Sequence, residues 1–247
     1  MRVGSTLRKE AGPWTPTIQA LLRFLRDADF DLAPEPLGLD DRGREVMSWL
    51  EGTSATKPWP AHLVRDEGVM VLASALRRYH DVVAGFDPGP DACWRVGCRG
   101  LRPGEIVCHG DLALWNTVWR LEELVGIIDW DMAEPGLPLH DVAFLALHLV
   151  PLHSDEWASA TGFDDPPPRA ERLGLLCETY GGIRPDEVIH AVQVRLERER
   201  IRTVEWGREG REPWATFLAQ GDLAKVDEDA TWLHEHAADL FTSSDNM

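Results

Sequence analysis

The segment His109-Gly110-Asp111-Leu112-Ala113-Leu114-Trp115-Asn116 constrains this chain more than any other, because its polar residues are spaced to act together with an aspartate downstream. Thirteen residues beyond Asn116, Asp129 closes an apolar run (Leu124, Val125, Ile127, Ile128) that reads as a strand. The pattern puts Asp111 and Asn116 on one loop and Asp129 at a strand end. Fixing His, Gly, Asp and Asn leaves on the order of 10⁻³ chance matches in a chain this long, and Asp129 lowers that about twentyfold. The pattern is therefore read as a site. Phosphoryl transfer needs a carboxylate aimed at the attacking hydroxyl and oxygen ligands that hold magnesium against the phosphates. These three side chains are such a set.

Length and charge narrow the rest. A chain of 247 residues can bury a real core as one large domain or two lobes. Its formal charge is −17, from 42 acidic against 25 basic side chains. That argues against nucleic acid, which is bound through clustered Lys and Arg. It favours a cationic partner through long-range attraction. On charge alone, however, acidity that only serves solubility is the stronger reading. No run reaches the roughly 18 apolar residues of a membrane span. Met1-Arg2-Val3-Gly4-Ser5-Thr6 lacks the apolar core of a signal peptide. Cys93, Cys98, Cys108 and Cys177 form no recognisable framework. Cys93-x₄-Cys98 would be half a zinc site with no second pair to complete it, so reduced structural thiols and a cytoplasmic location are expected.

Along the chain, Ile18, Leu21, Leu22 and Leu25 mark an amphipathic helix starting near Pro16. Arg44–Leu50 reads as a strand, and residues 52–61 as a loop between a small N-terminal lobe and a larger one. Val69, Leu72, Ala73, Leu76 and Tyr79 make the next helical face, and Gly85–Gly104 is loop. Ile106–His109, Thr117–Leu121 and Leu124–Asp129 are short strands around the motif. Three or four helices then follow: Val142–Leu149, Ala170–Tyr180 stopped by Gly181-Gly182, a long charged helix from Pro185, and one from about Asp227 to Leu240. Pro166-Pro167-Pro168 marks a surface loop.

With these residues in place, the chain resembles the aminoglycoside phosphotransferase family. The resemblance rests on His109-Gly110-Asp111 with Asn116, on Ile128-Asp129-Trp130-Asp131 and on Gly136-x-Pro138-x-x-Asp141. A helix at 17–28, a Gly-Arg-Glu-Val-Met-Ser strand ending in Leu50-Glu51-Gly52 and a helical C-terminal part extend it over most of the chain. It implies an α+β, two-lobed, protein-kinase-like fold: a reduced N-terminal nucleotide-binding lobe with hinge over 1–52, and a mostly helical catalytic and substrate-binding lobe over 53–247. It also implies transfer of the γ-phosphate of ATP or GTP to a hydroxyl of a small, cationic amino-sugar or amino-alcohol, with Mg²⁺ as cofactor. By the resemblance Asp111 is the catalytic base, and Asn116 and Asp129 are the magnesium ligands. Arg8 or Lys9 would meet the phosphates, and the backbone of Ser48, Trp49 and Leu50 would meet the base. Asp131 and Glu134, with Asp155 and Glu156, would line an acidic acceptor pocket; a surface role for Asp131 is an equal alternative. His109 and Asp141 are structural supports, the latter as helix cap or loop anchor. Trp115 is core, and Tyr79-His80 a packed or solvated pair.

The N-terminus departs from the family's pattern. Only seven residues precede Arg8-Lys9, so a strand Val3–Arg8 would have to carry the phosphate-binding cation. The helix after it offers Gln19 where a carboxylate partner is usual. This leaves two expectations: a working kinase whose N-lobe is short or whose start lies upstream of Met1, or a non-catalytic relative that binds a small ligand.

Overall fold

The computed structural model describes residues 1–163 and 168–241. It divides into two compact units, one of Met1–Thr56 with Ser74–Asp141, the other of Lys57–Ala73 with Val142–Met247.

The first unit holds every strand among the described residues. An antiparallel sheet runs in the order β1-β2-β4-β3, formed by β1 (Arg2–Val3), β2 (Thr6–Lys9), β3 (Pro36–Leu39) and β4 (Glu45–Ser48). The single strand expected over Val3–Arg8 is therefore a hairpin. Gly4 takes the left-handed conformation at φ 59°, which glycine adopts without a Cβ penalty, and reverses the chain between the Val3 and Thr6 pair. The register of β2 on β4 pairs Arg8 with Val46 and Lys9 with Glu45. Helix α1 (Thr15–Asp27) follows the expected periodicity, and Ile18, Leu21, Leu22 and Leu25 are all fully buried.

Two segments expected as plain loop contain strands. β5 (Thr53–Ser54) pairs with a distant strand that no local pattern announces. β6 (Cys93–Trp94) and β7 (Gly97–Cys98) form a hairpin that pairs Cys93 with Cys98. Their Cα atoms lie 4.0 Å apart, and the two sulfurs form a disulfide. The reading of these two residues as reduced thiols is corrected by that register. Cys108 and Cys177 are buried and lie outside the disulfide.

The motif segments build two further sheets. β8 (Ile106–Cys108), β9 (Thr117–Arg120), β10 (Glu123–Ile127) and β11 (Glu134–Gly136) pair as β10-β9-β5 and β11-β8.

The second unit is helical. It contains α2 (Ala61–Val64), the start of α3 (Asp66–Val83), and α4 (Leu139–Leu149) from Val142 on. α5 (Asp155–Ala160), α6 (Arg169–Tyr180), α7 (Pro185–Arg208), α8 (Trp214–Gln220) and α9 (Leu223–His236) complete it. There are more helices than the three or four expected, because α5 and α8 are too short to show a periodicity. The last helix starts at Leu223 rather than Asp227. Gly181 ends α6 at φ 81°, as its sequence position implied. The surface loop read at Pro166–Pro168 rests on Pro166 and Pro167, which lie outside the described residues. Arg172, 2% exposed, holds this unit together. Its guanidinium donates to the Leu149 and Val64 carbonyls at 2.8 and 3.0 Å.

Candidate active site

The site is built on backbone held by buried side chains. Asp141 is fully buried, and its Oδ2 accepts the His109 N–H at 2.7 Å while Oδ1 accepts the Gly110 N–H at 2.8 Å. His80 Nε2 lies 3.1 Å from the same Oδ2. Burial raises the Asp141 carboxyl's pKa, but the His80 contact and the Gly110 N–H outweigh it and leave the carboxyl below its ordinary value. Of the two roles expected for Asp141, the loop anchor is the one these contacts describe. The Tyr79-His80 pair is buried, with Tyr79 Oη donating to the Val107 carbonyl at 2.7 Å.

His109 is fully buried and packs 4.5 Å, centroid to centroid, from Trp130. Its Nε2 lies 3.1 Å from the Ile128 carbonyl, and Nδ1 accepts the Asp111 N–H at 3.3 Å. This network selects the Nε2–H tautomer. Burial lowers the pKa of the ring more than the charges of Asp141 and Asp129 raise it, which keeps His109 neutral. Gly110 sits at φ 80°, where a Cβ would fall 2.1 Å from the Met132 carbonyl oxygen.

Asn116 Nδ2 donates to both the Asp111 carbonyl and Asp111 Oδ2, each at 2.8 Å. The Ile128 N–H in turn donates to the Asn116 carbonyl at 2.9 Å. Both peptide groups of Ile128 are thus tied to the motif loop, one through His109 and one through Asn116. Asp129 follows at once, at φ 63° and ψ 63°. A left-handed aspartate is uncommon and costs of order 1 kcal/mol, a strain that concentrates at functional sites. With Nδ2 committed to Asp111, Asn116 presents Oδ1, a hard oxygen. Asn116 and Asp129 therefore offer the donor chemistry magnesium takes. Among the described residues no group of three His, Cys, Asp or Glu forms a metal cage. Magnesium needs no such cage when phosphates supply further ligands.

A cavity of about 310 Å³ lies in the first unit, lined by Lys9, Met47, Ser48, Trp49, Leu50 and Asp129 among others. Three expected cofactor residues, Ser48 to Leu50, line it together with Lys9; Arg8 instead lies 3.5 Å from Asp40. Lys9 Nζ meets Asp131 Oδ1 at 2.5 Å and Glu45 Oε2 at 3.5 Å. Glu45 is fully buried, and Gln19 Nε2 donates to its Oε1 at 2.8 Å. The carboxylate that α1 lacks is thus supplied from β4, with Gln19 holding it. Sequence reasoning missed Glu45, although a charge inside the apolar strand Glu45-Val46-Met47 is a readable signal.

Asp131 also accepts from Trp14 Nε1 at 3.3 Å, and Glu134 is buried in β11 opposite Cys108. Lys9 and Trp14 are thus among the contacts of Asp131. Asp155 and Glu156 lie in the first turn of α5, in the second unit. Trp115 is half-buried.

Residues 90–183 match the sequence profile of a phosphotransferase enzyme family, APH. A trifolitoxin immunity protein of Rhizobium leguminosarum bv. trifolii is 35% identical over 185 residues, covering 73% of this chain and 69% of that protein. This chain belongs to the aminoglycoside phosphotransferase family. Solved structures agree on the fold. The amicoumacin kinase hAmiN, in complex with AMP-PNP, Ca²⁺ and Ami, is similar with a TM-score of 0.57 at 12% identity, over 77% of this chain and 70% of that one. A choline/ethanolamine kinase family protein from Mesorhizobium loti gives 0.54 at 17% identity, over 98% and 84%. The fold is α+β and protein-kinase-like. Among the described residues no helix is long and apolar enough to cross a membrane.

Proposed function

We propose that this chain transfers the γ-phosphoryl group of ATP or GTP to a hydroxyl of a small molecule. The observation that carries the reading is the double tether of Ile128 to His109 and Asn116, which couples Asp129 to the loop bearing Asp111. In this reading Asp111 accepts the proton of the acceptor hydroxyl, and Asn116 holds one of its carboxylate oxygens in place. Lys9, oriented by Glu45, meets phosphate oxygens, and the backbone of Ser48 to Leu50 meets the base in the cavity. Residues 1–52 then serve as the nucleotide-binding lobe and 53–247 as the catalytic and acceptor-binding lobe. Asn116 and Asp129 would hold magnesium, which when bound offsets charge on the transferring group. A cationic acceptor is supported by the charge of −17. A protective role against a toxic compound is supported by the similarity to an immunity protein. That same similarity also fits a protein that sequesters a ligand without transfer.

Calorimetric titration with ATP and GTP, with and without magnesium, tests the nucleotide step. Magnesium-dependent binding is expected, followed by turnover in a screen of hydroxyl-bearing amines. Asp111→Asn should lower kcat by about 10² to 10⁴ with an unchanged melting temperature. Turnover retained in that variant would refute the assignment, and ligand-induced stabilisation without phosphate release would favour sequestration.

A further inference from the structure

Asp131 is contacted by a second cation besides Lys9. Arg95 Nη1 lies 3.9 Å from Asp131 Oδ2, and its guanidinium stacks on the Trp14 ring at 5.0 Å. Trp14 Nε1 and Lys9 Nζ both approach the other oxygen, Oδ1. One carboxylate therefore stands between two cations, one of which lines the cavity beside Asp129.

Arg95 is at the turn of the β6–β7 hairpin, where an arginine is ordinarily solvated and free to move. Here the turn is fixed at its base. Cys93 and Cys98 are cross-linked, and the Cys93 N–H donates to Thr17 Oγ1 of α1 at 3.2 Å. Trp94 is buried, with Nε1 donating to the Arg99 carbonyl at 2.9 Å. Arg99 itself makes two bonds to Glu105, at 2.6 and 3.0 Å. Holding an arginine this way gives up rotamer freedom. Its planar fork is suited to phosphate oxygens, which it meets in pairs.

Three of the other N-terminal cations are committed elsewhere: Arg2 pairs with Glu51, and Arg8 and Arg44 with Asp40. A triphosphate arriving at Lys9 carries more negative charge than one lysine offsets. We propose that Arg95 is the second phosphate-binding cation of this site, held by Asp131 and Trp14 on a disulfide-closed hairpin. The inference rests on the nucleotide reading above. Asp131 then acts as a positioning residue that keeps Lys9 and Arg95 together, rather than as a contact for the acceptor.

The test is the affinity of wild type, Arg95→Gln and Arg95→Lys for magnesium–ATP and for adenosine, which has the base and no phosphates. Arg95→Gln should weaken ATP about tenfold or more, the scale of a charge-assisted hydrogen bond to phosphate. Its adenosine affinity should equal wild type. Arg95→Lys should recover part of the ATP affinity, since it restores charge without the fork, and it carries the test alone should Arg95→Gln fail to fold. ATP affinity equal to wild type in the variants overturns the inference, as does an equal loss for ATP and adenosine. Wild type that binds neither ligand overturns the nucleotide reading itself, and the inference with it.

Discussion

At the scale of single residues, Asp129 and Asp141 illustrate two ways a carboxylate is used. Asp129 sits in a conformation that favours glycine, so its backbone is strained where its side chain faces the cavity. Asp129→Gly should be more stable than Asp129→Ala by about 1 kcal/mol, because only the alanine retains the Cβ conflict. Both should lose magnesium-dependent nucleotide binding. Denaturant melts and calorimetry on the two variants separate strain from chemistry; an alanine variant as stable as the glycine one would show that the strain is absent. Asp141 is used for its lone pairs. Asp141→Ala leaves His80 and the N–H groups of His109 and Gly110 without their buried acceptor. A loss of about 3–5 kcal/mol is expected in a urea melt. A loss below about 1 kcal/mol would mean that water or a rearranged loop replaces it.

At the scale of elements, the short ones were the hardest to see in the sequence and matter most to the site. The β6–β7 hairpin is two residues per strand and lies in a segment that reads as loop, yet its register brings Cys93 against Cys98. Closing so small a loop restricts the unfolded chain by about 2 kcal/mol. Cys93→Ser with Cys98→Ser should therefore lower stability by about that amount in a denaturant titration under oxidising conditions. An identical midpoint in wild type and variant would show that the cross-link contributes nothing. The β1–β2 hairpin is similar: Gly4 converts an apparent single strand into two, and the register then sets Lys9 beside Glu45. Helices α1 and α3 were legible throughout, since their buried faces recur at helical spacing.

At the scale of the whole molecule, buried histidines govern the response to acid. Burial, with the charges of His153, Lys57 and Arg195, holds the His148 ring's pKa well below the ordinary 6.5. His109 shifts in the same direction, by burial. In the unfolded chain both rings take up protons near pH 6.5, while in the folded protein they stay neutral to lower pH. Their contribution is thus fully present above pH 6.5 and is lost as the pH falls below it, at up to about 1.4 kcal/mol per pH unit for each ring. Asp141 adds a further loss at lower pH, as the carboxyl protonates in the unfolded chain below about 3.8. Denaturant midpoints at pH 7.5, 6 and 5 should fall in that order, and a flat profile would contradict neutral buried rings.

By itself the sequence determined the family, the helical faces, the loop that carries Asp111 and Asn116, and the strand that leads to Asp129, although that strand ends at Ile127 and Asp129 is left-handed beyond it. Those features are local: helical periodicity and motif spacing involve residues close along the chain, where steric and hydrogen-bond rules act directly. The anchoring of that loop by Asp141, the pairing of Glu45 with Lys9 across β2 and β4, and the meeting of Arg95 with Asp131 were decided only by tertiary structure. Each joins residues far apart in the chain, through strand register or burial. An ion pair or a buried acceptor has no spacing rule of its own, and it exists only once packing has excluded water and brought the partners within a few ångströms.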